Sequence, residues 1–260
     1  MGTARLYKTE AIVLRQRRLG EADRILTLFT PTYGKMDVKA RGVRKTTSRM
    51  SGHLQPLTRC MLQMAQGHLS DVVTGSETLE SFQPLRADLY RLSRALYAAE
   101  LVDRMTAEGA PGFGTYRLLL DTLRRLQGSE NGDMALRCFE MRIMDQSGFR
   151  PELERCVGCG AALREEQNFF APQSGGTVCP ACVAGLAGTR TLSVNALKVL
   201  RLLQRASYNE TTRLKMPEAL AQEVERHLRS YIVCVLERDV NSATFIERLR
   251  REELKEAIEV

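Results

Sequence analysis

The fold is indicated first by residues 25–41, which read ILTLFTPTYGKMDVKAR. A mostly apolar run ends at Pro31, and Tyr33 with Gly34 provides a turn. From Met36 onward, apolar and charged residues alternate at the two-residue period of a strand that packs on one face and is solvated on the other. These residues therefore predict two neighbouring β-strands.

Three further short strands are predicted around this pair. They span residues 9–18, 60–65 and 69–74, with turns between them and a polar, basic loop over 42–52. Five short strands without a helix of ordinary length indicate a small closed barrel of the OB-fold type. After Pro84 a helical period replaces the strand period, so the fold class is expected to be α+β.

The rest of the chain is predicted to be mostly helical. Helices are expected over 85–107, 116–127, 134–147, 194–205, 217–238 and 244–256. Asp133 and Ser193 are the predicted N-caps of two of them, and Pro217 the first residue of another. We expect an OB-fold domain at 1–82, a helical domain formed by 83–153 and 189–260, and a module at 154–188 inserted in the helical domain.

Four of the seven cysteines form two Cys-x-x-Cys pairs, Cys156 with Cys159 and Cys179 with Cys182, separated by 19 residues. This spacing lets four thiolates surround one zinc ion in a tetrahedron. The alternative, a redox Cys-x-x-Cys, needs one pair at a strand-to-helix junction, whereas these two pairs lie in a glycine-rich segment. We predict one structural zinc ion per chain, because four sulfur ligands leave no position for water or substrate.

The excess positive charge is confined to the first fifth of the chain. Residues 1–50 carry twelve basic and four acidic side chains, whereas the remainder has 26 basic and 27 acidic ones. Cations on one face of a small barrel and in an adjoining loop favour a groove that follows a phosphate backbone, with scattered solvated charge as the alternative. The predicted contacts to such a nucleic-acid backbone are Lys35, Lys39, Arg41, Arg44, Lys45 and Arg49, together with Arg15, Arg17, Arg18 and Arg24. Only Tyr7, Phe29 and Tyr33 are aromatic here, which favours electrostatic binding over base readout.

Several function classes lack their signatures. No apolar run is long enough to span a membrane, no signal region follows the N-terminus, and an odd, unevenly spaced set of cysteines suits a reducing cytoplasm. The three histidines, His53, His68 and His227, have no metal or triad spacing, and no nucleotide-binding loop or paired acidic cluster is present. We therefore predict a cytoplasmic protein that is not an enzyme.

The chain resembles the bacterial RecO recombination mediators in short motifs that follow in order from residue 7 to about residue 182. They are Glu10-Ala-Ile-Val-Leu14, Gly20-Glu-Ala-Asp-Arg24, Tyr33-Gly34-Lys35, Ala40-Arg41-Gly42-Val43-Arg44-Lys45, Leu54-Gln55-Pro56-Leu57 and the two cysteine pairs. The resemblance implies an N-terminal OB-fold, a helical domain and an inserted zinc module. By motif position it favours Lys35, Lys39, Arg41, Arg44 and Lys45 as DNA contacts.

The function that the resemblance implies is DNA repair and recombination. It comprises binding of single- and double-stranded DNA, annealing of complementary strands without ATP and, with RecR, help for RecA in loading onto DNA coated by single-strand-binding protein. The implied partners are DNA, RecR, the C-terminal tail of single-strand-binding protein and, indirectly, RecA, in the cytoplasm and at the nucleoid during repair. The residues alone leave three alternatives: an RNA-binding or ribosome-associated protein, a metal-dependent nuclease or ligase, and a scaffold whose basic face binds an acidic protein.

Overall fold

The structure is a computed structural model that describes residues 5–128, 131–211, 214–237, 240, 242–243, 245–246, 248–250 and 252. Its contacts divide the chain into two compact units. The first unit is Met1–Ser129 with Asn241–Val260, and the second is Glu130–Val240.

The first unit contains a closed barrel of five strands. They are β1 (Leu6–Leu19), β2 (Asp23–Thr30), β3 (Gly34–Ala40), β4 (Arg59–Ala65) and β5 (Val72–Glu80), in the order β1-β2-β3-β5-β4. Strand β1 pairs antiparallel with both β2 and β4, and β3 pairs in parallel with β5. This is the strand arrangement of an OB-fold, so the predicted α+β fold with a five-stranded barrel is confirmed.

Apolar side chains fill the interior of the barrel. The buried core includes Ala11, Val13, Leu26, Leu28, Val38, Ala40, Cys60, Leu62, Met64 and Val73. In β3, Val38 and Ala40 are fully buried, while Asp37 and Lys39, which alternate with them, are partly exposed, as the alternation in the sequence predicts. The charged residues of this strand therefore face outward.

The fifth strand begins later than predicted. Strand β5 starts at Val72, and Leu69 lies in a bend before it rather than in a strand. A carboxylate oxygen of Asp71 accepts a hydrogen bond of 3.1 Å from the amide of Gly67 and stabilises this bend. Leu69 is consequently not a core residue, and its side chain is 96% exposed.

Helices α1 (Gln83–Arg86), α2 (Leu89–Met105) and α3 (Phe113–Gly128) follow the barrel in the first unit. The single helix predicted over 85–107 is wrong, because Asp88 interrupts it and N-caps α2 by accepting hydrogen bonds from the amides of Tyr90 and Arg91. The helix predicted over 244–256 lies largely outside the described residues.

The second unit combines helices with a small sheet. Its elements are α4 (Gly132–Gln146), β6 (Asn168–Ala171), β7 (Gly176–Val178), β8 (Arg190–Leu192), α5 (Val194–Arg205), α6 (Tyr208–Thr211) and α7 (Glu218–Leu236). The three strands pair antiparallel in the order β7-β6-β8. The sequence does not predict this sheet, because strands of three or four residues are too short to establish an alternation.

The helix starts of the second unit agree only in part with the predictions. Ser193 caps α5 as predicted, with its side chain accepting a hydrogen bond of 3.1 Å from the helix backbone. Helix α4 is capped by Asn131 rather than Asp133, and Pro217 is the N-cap of α7 rather than its first residue. The predicted end of α7 at Arg238 lies outside the described residues. Within the described ranges, no helix is both long enough and apolar enough to cross a membrane.

The two compact units follow a different division from the predicted domains. Residues 83–128 cluster with the barrel, and α3 contacts it directly where Arg124 Nε lies 2.9 Å from Glu80 Oε2. Residues 154–188 lie inside the second unit, and β8 pairs with β6 beyond the predicted end of the inserted module. The three domain boundaries stay a prediction, because compactness is not the same property as independent folding.

Candidate nucleic-acid interface and metal centre

The four predicted zinc ligands lie together in the second unit. The Sγ atoms of Cys156, Cys159, Cys179 and Cys182 are all within 4.8 Å of one another, and those of Cys159 and Cys179 are 4.0 Å apart. Thiolates bound to one zinc ion at about 2.3 Å in a tetrahedron have sulfur atoms about 3.8 Å apart. The donor set and its spacing therefore fit one four-coordinate zinc ion.

Backbone turns hold each cysteine pair in place. The amide of Gly160 donates a hydrogen bond of 2.8 Å to the carbonyl oxygen of Cys156, and the amide of Cys182 donates one of 3.0 Å to that of Cys179. Gly160 has a φ of +75°, which strongly favours glycine. Each turn brings the two sulfurs of its pair toward the same point.

The thiols of this cluster differ in acidity. Burial opposes ionisation of Cys156, but hydrogen bonds from the amides of Cys179, Cys159 and Gly158 prevail and lower the pKa of its thiol to about 6. Hydrogen bonds with the Cys179, Cys159 and Cys156 sulfurs raise the pKa of Cys182 to about 12. Because the four sulfurs do not all ionise in isolation, a divalent cation is the group that would stabilise four thiolates here.

The ten predicted DNA contacts all lie in the first unit, on β1, β2, β3 and the loop after β3. The strands carry Arg15, Arg17, Arg18, Arg24, Lys35 and Lys39, and the loop carries Arg41, Arg44, Lys45 and Arg49. The strand register aligns Arg17 and Lys39, since both pair with Ile25 of β2 from opposite sides. At the usual strand spacing these two positions are about 10 Å apart on the outer face.

Three of the ten predicted contacts are paired with acidic side chains. Arg15 Nε lies 2.6 Å from Asp103 Oδ2, and Lys35 Nζ lies 3.5 Å from Asp103 Oδ1. Both contacts join the barrel to α2. A guanidinium nitrogen of Arg17 on β1 lies 2.9 Å from Asp37 Oδ2 on β3, across the intervening strand β2. The Lys35 side chain is only 13% exposed, so its charge stabilises the packing of α2 and is poorly accessible to a ligand.

Two more predicted contacts donate hydrogen bonds to uncharged groups. Arg24 donates to the side chain of Gln16, and Arg44 donates to the carbonyl oxygen of Gly20. The amide of Arg44 also donates to the carbonyl oxygen of Ala22 at 2.9 Å, which fastens the loop after β3 to the turn between β1 and β2. The other five predicted contacts are Arg18, Lys39, Arg41, Lys45 and Arg49. Their charged groups have no partner among the described residues. These five cations are the ones available to a polyanion.

An open cleft of about 790 Å³ lies on the outer face of the barrel. Its lining includes Arg17, Lys39, Tyr33 and Leu69, together with Glu108 of the segment between α2 and α3. Sequence reasoning identified the two cations but not Leu69 or Glu108. Neither residue carries a local signal, because each reaches the cleft only through the packing of a turn or a helix connection.

Gly34 allows the segment between α2 and α3 to approach the barrel. Its φ is +62°, and a Cβ atom at this position would lie 1.8 Å from the carbonyl oxygen of Ala110. The amide of Gly109 donates a hydrogen bond of 2.9 Å to the carbonyl oxygen of Lys35 and holds the same segment against β3. The positive φ and the close approach of Ala110 therefore explain why a glycine occupies the middle position of the motif Tyr33-Gly34-Lys35.

The three aromatic residues of the basic segment differ in accessibility. Phe29 is buried in the first unit, with 1% of its surface exposed. Tyr7 donates a hydrogen bond to the carboxylate of Asp71, and burial followed by this bond raises its pKa. Tyr33 is 41% exposed, and its ring centroid lies 5.2 Å from that of Tyr7. Tyr33 is therefore the one of the three that can meet a ligand in the cleft.

Comparison with known proteins covers nearly all of the chain. The family model described as "Recombination protein O N terminal" matches residues 3–82, and that described as "Recombination protein O C terminal" matches residues 86–244. A protein of Roseiflexus sp. named DNA repair protein RecO is 41% identical over 247 residues, which is 95% of this chain and 87% of the relative. Proteins of the same name from Dehalococcoides mccartyi and Symbiobacterium thermophilum are 38% and 35% identical, covering 95% and 94% of this chain and 98% of each relative. Two family models and relatives of nearly full length agree with the barrel and with the motifs in the sequence, and the chain belongs to the RecO family.

Proposed function

We propose that this protein is a non-catalytic DNA repair and recombination mediator that binds DNA on the outer face of its barrel and anneals complementary strands without ATP. The observation that carries the proposal is a set of five cations on the barrel strands and the adjoining loop whose charged groups have no partner in the part of the chain that the structure describes: Arg18, Lys39, Arg41, Lys45 and Arg49. Membership of a family whose relatives are named DNA repair proteins supports it.

The proposed mechanism is electrostatic. Lysine and arginine side chains that neutralise phosphates release the counterions condensed on DNA, which favours binding without regard to sequence. Two complementary strands held on one cationic surface repel each other less, so base pairing starts more readily. Both single and double strands offer phosphates, and this supports binding of either form. Annealing should therefore fall steeply as salt rises.

The zinc ion proposed for Cys156, Cys159, Cys179 and Cys182 has a structural role in this scheme. Four sulfur ligands leave it no open position, so it would stabilise the fold of the surrounding segment rather than supply chemistry. The supporting observations are the sulfur spacing and the two backbone turns. DNA binding is assigned to the barrel of the other unit.

The proposed partners extend beyond DNA. We include RecR, the acidic and apolar C-terminal tail of single-strand-binding protein, and RecA, which the protein would help to load together with RecR, in the cytoplasm and at the nucleoid. Family membership is the support for these partners. A receptor for such a tail requires an apolar pocket rimmed by cations, and no residues are assigned to it.

An annealing assay tests the proposal. Labelled complementary oligonucleotides are mixed with protein in the absence of ATP, and wild type is compared with Lys39→Glu/Arg41→Glu. We expect the double variant to anneal on the order of tenfold or more slowly, because two phosphate contacts become repulsive. The matched control is Arg164→Glu/Lys215→Glu, which makes the same change in net charge at two exposed positions of the second unit.

The outcomes separate the alternatives. An undiminished rate in the barrel variant, or an equal loss in the control variant, would contradict the assignment of DNA binding to this face. Competition by RNA of the same sequence at much lower concentration than DNA would instead support an RNA-binding protein. Shortened or joined strands after incubation with magnesium would support a nuclease or ligase.

A further inference from the structure

We propose that the cleft beside Tyr33 and Leu69 receives unstacked nucleobases, so that this face of the barrel binds single-stranded nucleic acid in preference to duplex. The inference rests on the proposed DNA-binding function of the same face and adds the class of ligand. It also assigns to Tyr33 and Leu69 a role that the electrostatic mechanism alone does not contain.

Two exposed apolar groups line one cleft together with cations. Leu69 is 96% exposed and Tyr33 is 41% exposed, and both line the cleft that contains Arg17 and Lys39. Single exposed apolar residues are common on protein surfaces, but an aromatic and an aliphatic group beside cations match what a single strand offers. A single strand presents both base faces and phosphates, whereas a duplex keeps its base faces stacked inside.

The two apolar groups are held by a shared residue. The hydroxyl of Tyr7 donates a hydrogen bond to Asp71, and the Tyr7 ring lies at 59° to that of Tyr33 with a centroid distance of 5.2 Å. The other carboxylate oxygen of Asp71 accepts the amide of Gly67 and stabilises the bend that carries Leu69. The cleft is therefore organised before a ligand arrives, which reduces the entropy that binding loses.

The charges of the cleft orient the ligand. Arg17 and Lys39 lie on either side of Ile25, about 10 Å apart. Arg17 is paired with Asp37, which also lines the cleft, and the exposed carboxylate of Glu108 lines it from the segment between α2 and α3. A phosphate is attracted to Lys39, which has no acidic partner among the described residues, and is repelled by Glu108. The backbone should therefore follow β3 while the bases reach Tyr33 and Leu69. The volume of about 790 Å³ lies within the usual range of ligand-binding pockets.

The chain contains no tryptophan, which makes a direct test possible. Tyr33→Trp places a single tryptophan in the cleft, and stacking of a base on its ring should quench the fluorescence. The titrants are oligothymidylate, an abasic oligonucleotide of the same length and a duplex. We expect quenching by oligothymidylate alone, and about tenfold tighter binding of oligothymidylate than of the abasic strand.

The same titration separates this inference from the proposed function. Equal affinity for the two single strands without quenching would overturn base stacking while leaving electrostatic binding intact. Absence of binding by every titrant would contradict the proposed function itself. Binding of duplex as tightly as oligothymidylate would overturn the preference for single strands.

Substitutions that shorten the two side chains provide a second measurement, which does not depend on the introduced tryptophan. Tyr33→Ala and Leu69→Ser are each expected to weaken oligothymidylate binding about five- to tenfold and to change duplex binding less than about twofold. The control is Phe113→Ala, because Phe113 is also an exposed aromatic, at 61%, but does not line the cleft. Equal losses for single strand and duplex in the cleft variants would overturn the inference, as would an equal loss in the control.

Discussion

Lys35 Nζ lies 3.5 Å from the carboxylate of Asp103 and also donates a hydrogen bond to the main-chain carbonyl oxygen of the same residue. The two residues are 68 positions apart in the sequence and join β3 of the barrel to α2. A lysine in a basic segment is thus engaged within the protein, while Lys39 on the same strand has no partner within the described part of the chain.

Substitution of Lys35 should therefore affect mainly the stability of the fold, whereas substitution of Lys39 should affect mainly DNA binding. Lys35→Met is expected to lower the free energy of unfolding by about 1–3 kcal/mol, because it leaves hydrogen-bond acceptors of Asp103 unsatisfied. Lys39→Met is expected to change stability by less than about 0.5 kcal/mol but to reduce the slope of log affinity against log salt by about 1. Urea unfolding and DNA-binding anisotropy at several salt concentrations measure the two effects. A loss of salt slope in Lys35→Met equal to that in Lys39→Met would contradict the distinction.

Cys159→Ser should remove the metal without removing DNA binding. One of four thiolate ligands is lost, so we expect the loss of one zinc ion per chain and faster hydrogen exchange over residues 154–188. Anisotropy should show nearly unchanged affinity for DNA, since the proposed contacts lie in the other unit. Cys234→Ser is the control, because this cysteine is not part of the cluster and should keep the metal. If annealing vanished with the zinc while the fold remained intact, the cluster would contribute to DNA binding.

The carboxylate of Glu10 should make stability depend on pH. Its hydrogen bond from Arg59, at 2.6 Å, lowers its pKa below the ordinary value of 4.5, against the effect of burial and with help from Tyr116. A lowered folded-state pKa gives stability that is present above pH 4.5 and is lost as the pH falls through the folded-state pKa. Glu10→Gln is therefore expected to be about 1–3 kcal/mol less stable at neutral pH and to converge with wild type in acid.

Urea unfolding between about pH 7 and about pH 3 measures this difference. Glu21→Gln is the matched control, because Glu21 is exposed and has no side-chain partner within the ranges that the structure describes. If the difference in free energy of unfolding between Glu10→Gln and wild type were constant across that pH range, ionisation of Glu10 would make no contribution to the pH dependence of stability.

Gly34→Ala should destabilise the first unit by two effects. A left-handed conformation costs an alanine about 1–2 kcal/mol, and its Cβ would also meet the Ala110 carbonyl oxygen at 1.8 Å. Gly20→Ala is the control, because its φ of +58° imposes the same strain but no atom lies within 4 Å of the added Cβ. We expect a clearly larger loss of unfolding free energy in Gly34→Ala. Equal losses would mean that the segment between α2 and α3 moves away without cost.

Much of the architecture follows from local patterns in the sequence. The alternation from Met36 to Ala40 predicts a strand with one packed and one charged face, and β3 has both. The spacing of the cysteines predicts a four-sulfur cluster, because two intervening residues permit only a tight turn. Ser193 similarly predicts the start of α5, since a cap acts within its own first helical turn.

Other features depend on contacts that a local pattern does not contain. The apolar run that includes Leu69 has the composition of a strand, but the hydrogen bond from Gly67 to Asp71 places Leu69 in an exposed bend. The sheet of β6, β7 and β8 forms although none of its strands is long enough to be predicted alone.

The sequence by itself determined that a basic barrel and a four-cysteine cluster exist, because periodicity and ligand spacing operate over a few neighbouring residues. Only the tertiary structure decided which cations are available. Asp103, on a helix far along the sequence, forms ion pairs with Arg15 and Lys35. Lys39 and Arg41 have no partner among the described residues and remain available to a ligand. The physical reason is that an ion pair depends on distance in space, which the order of residues along the chain does not specify.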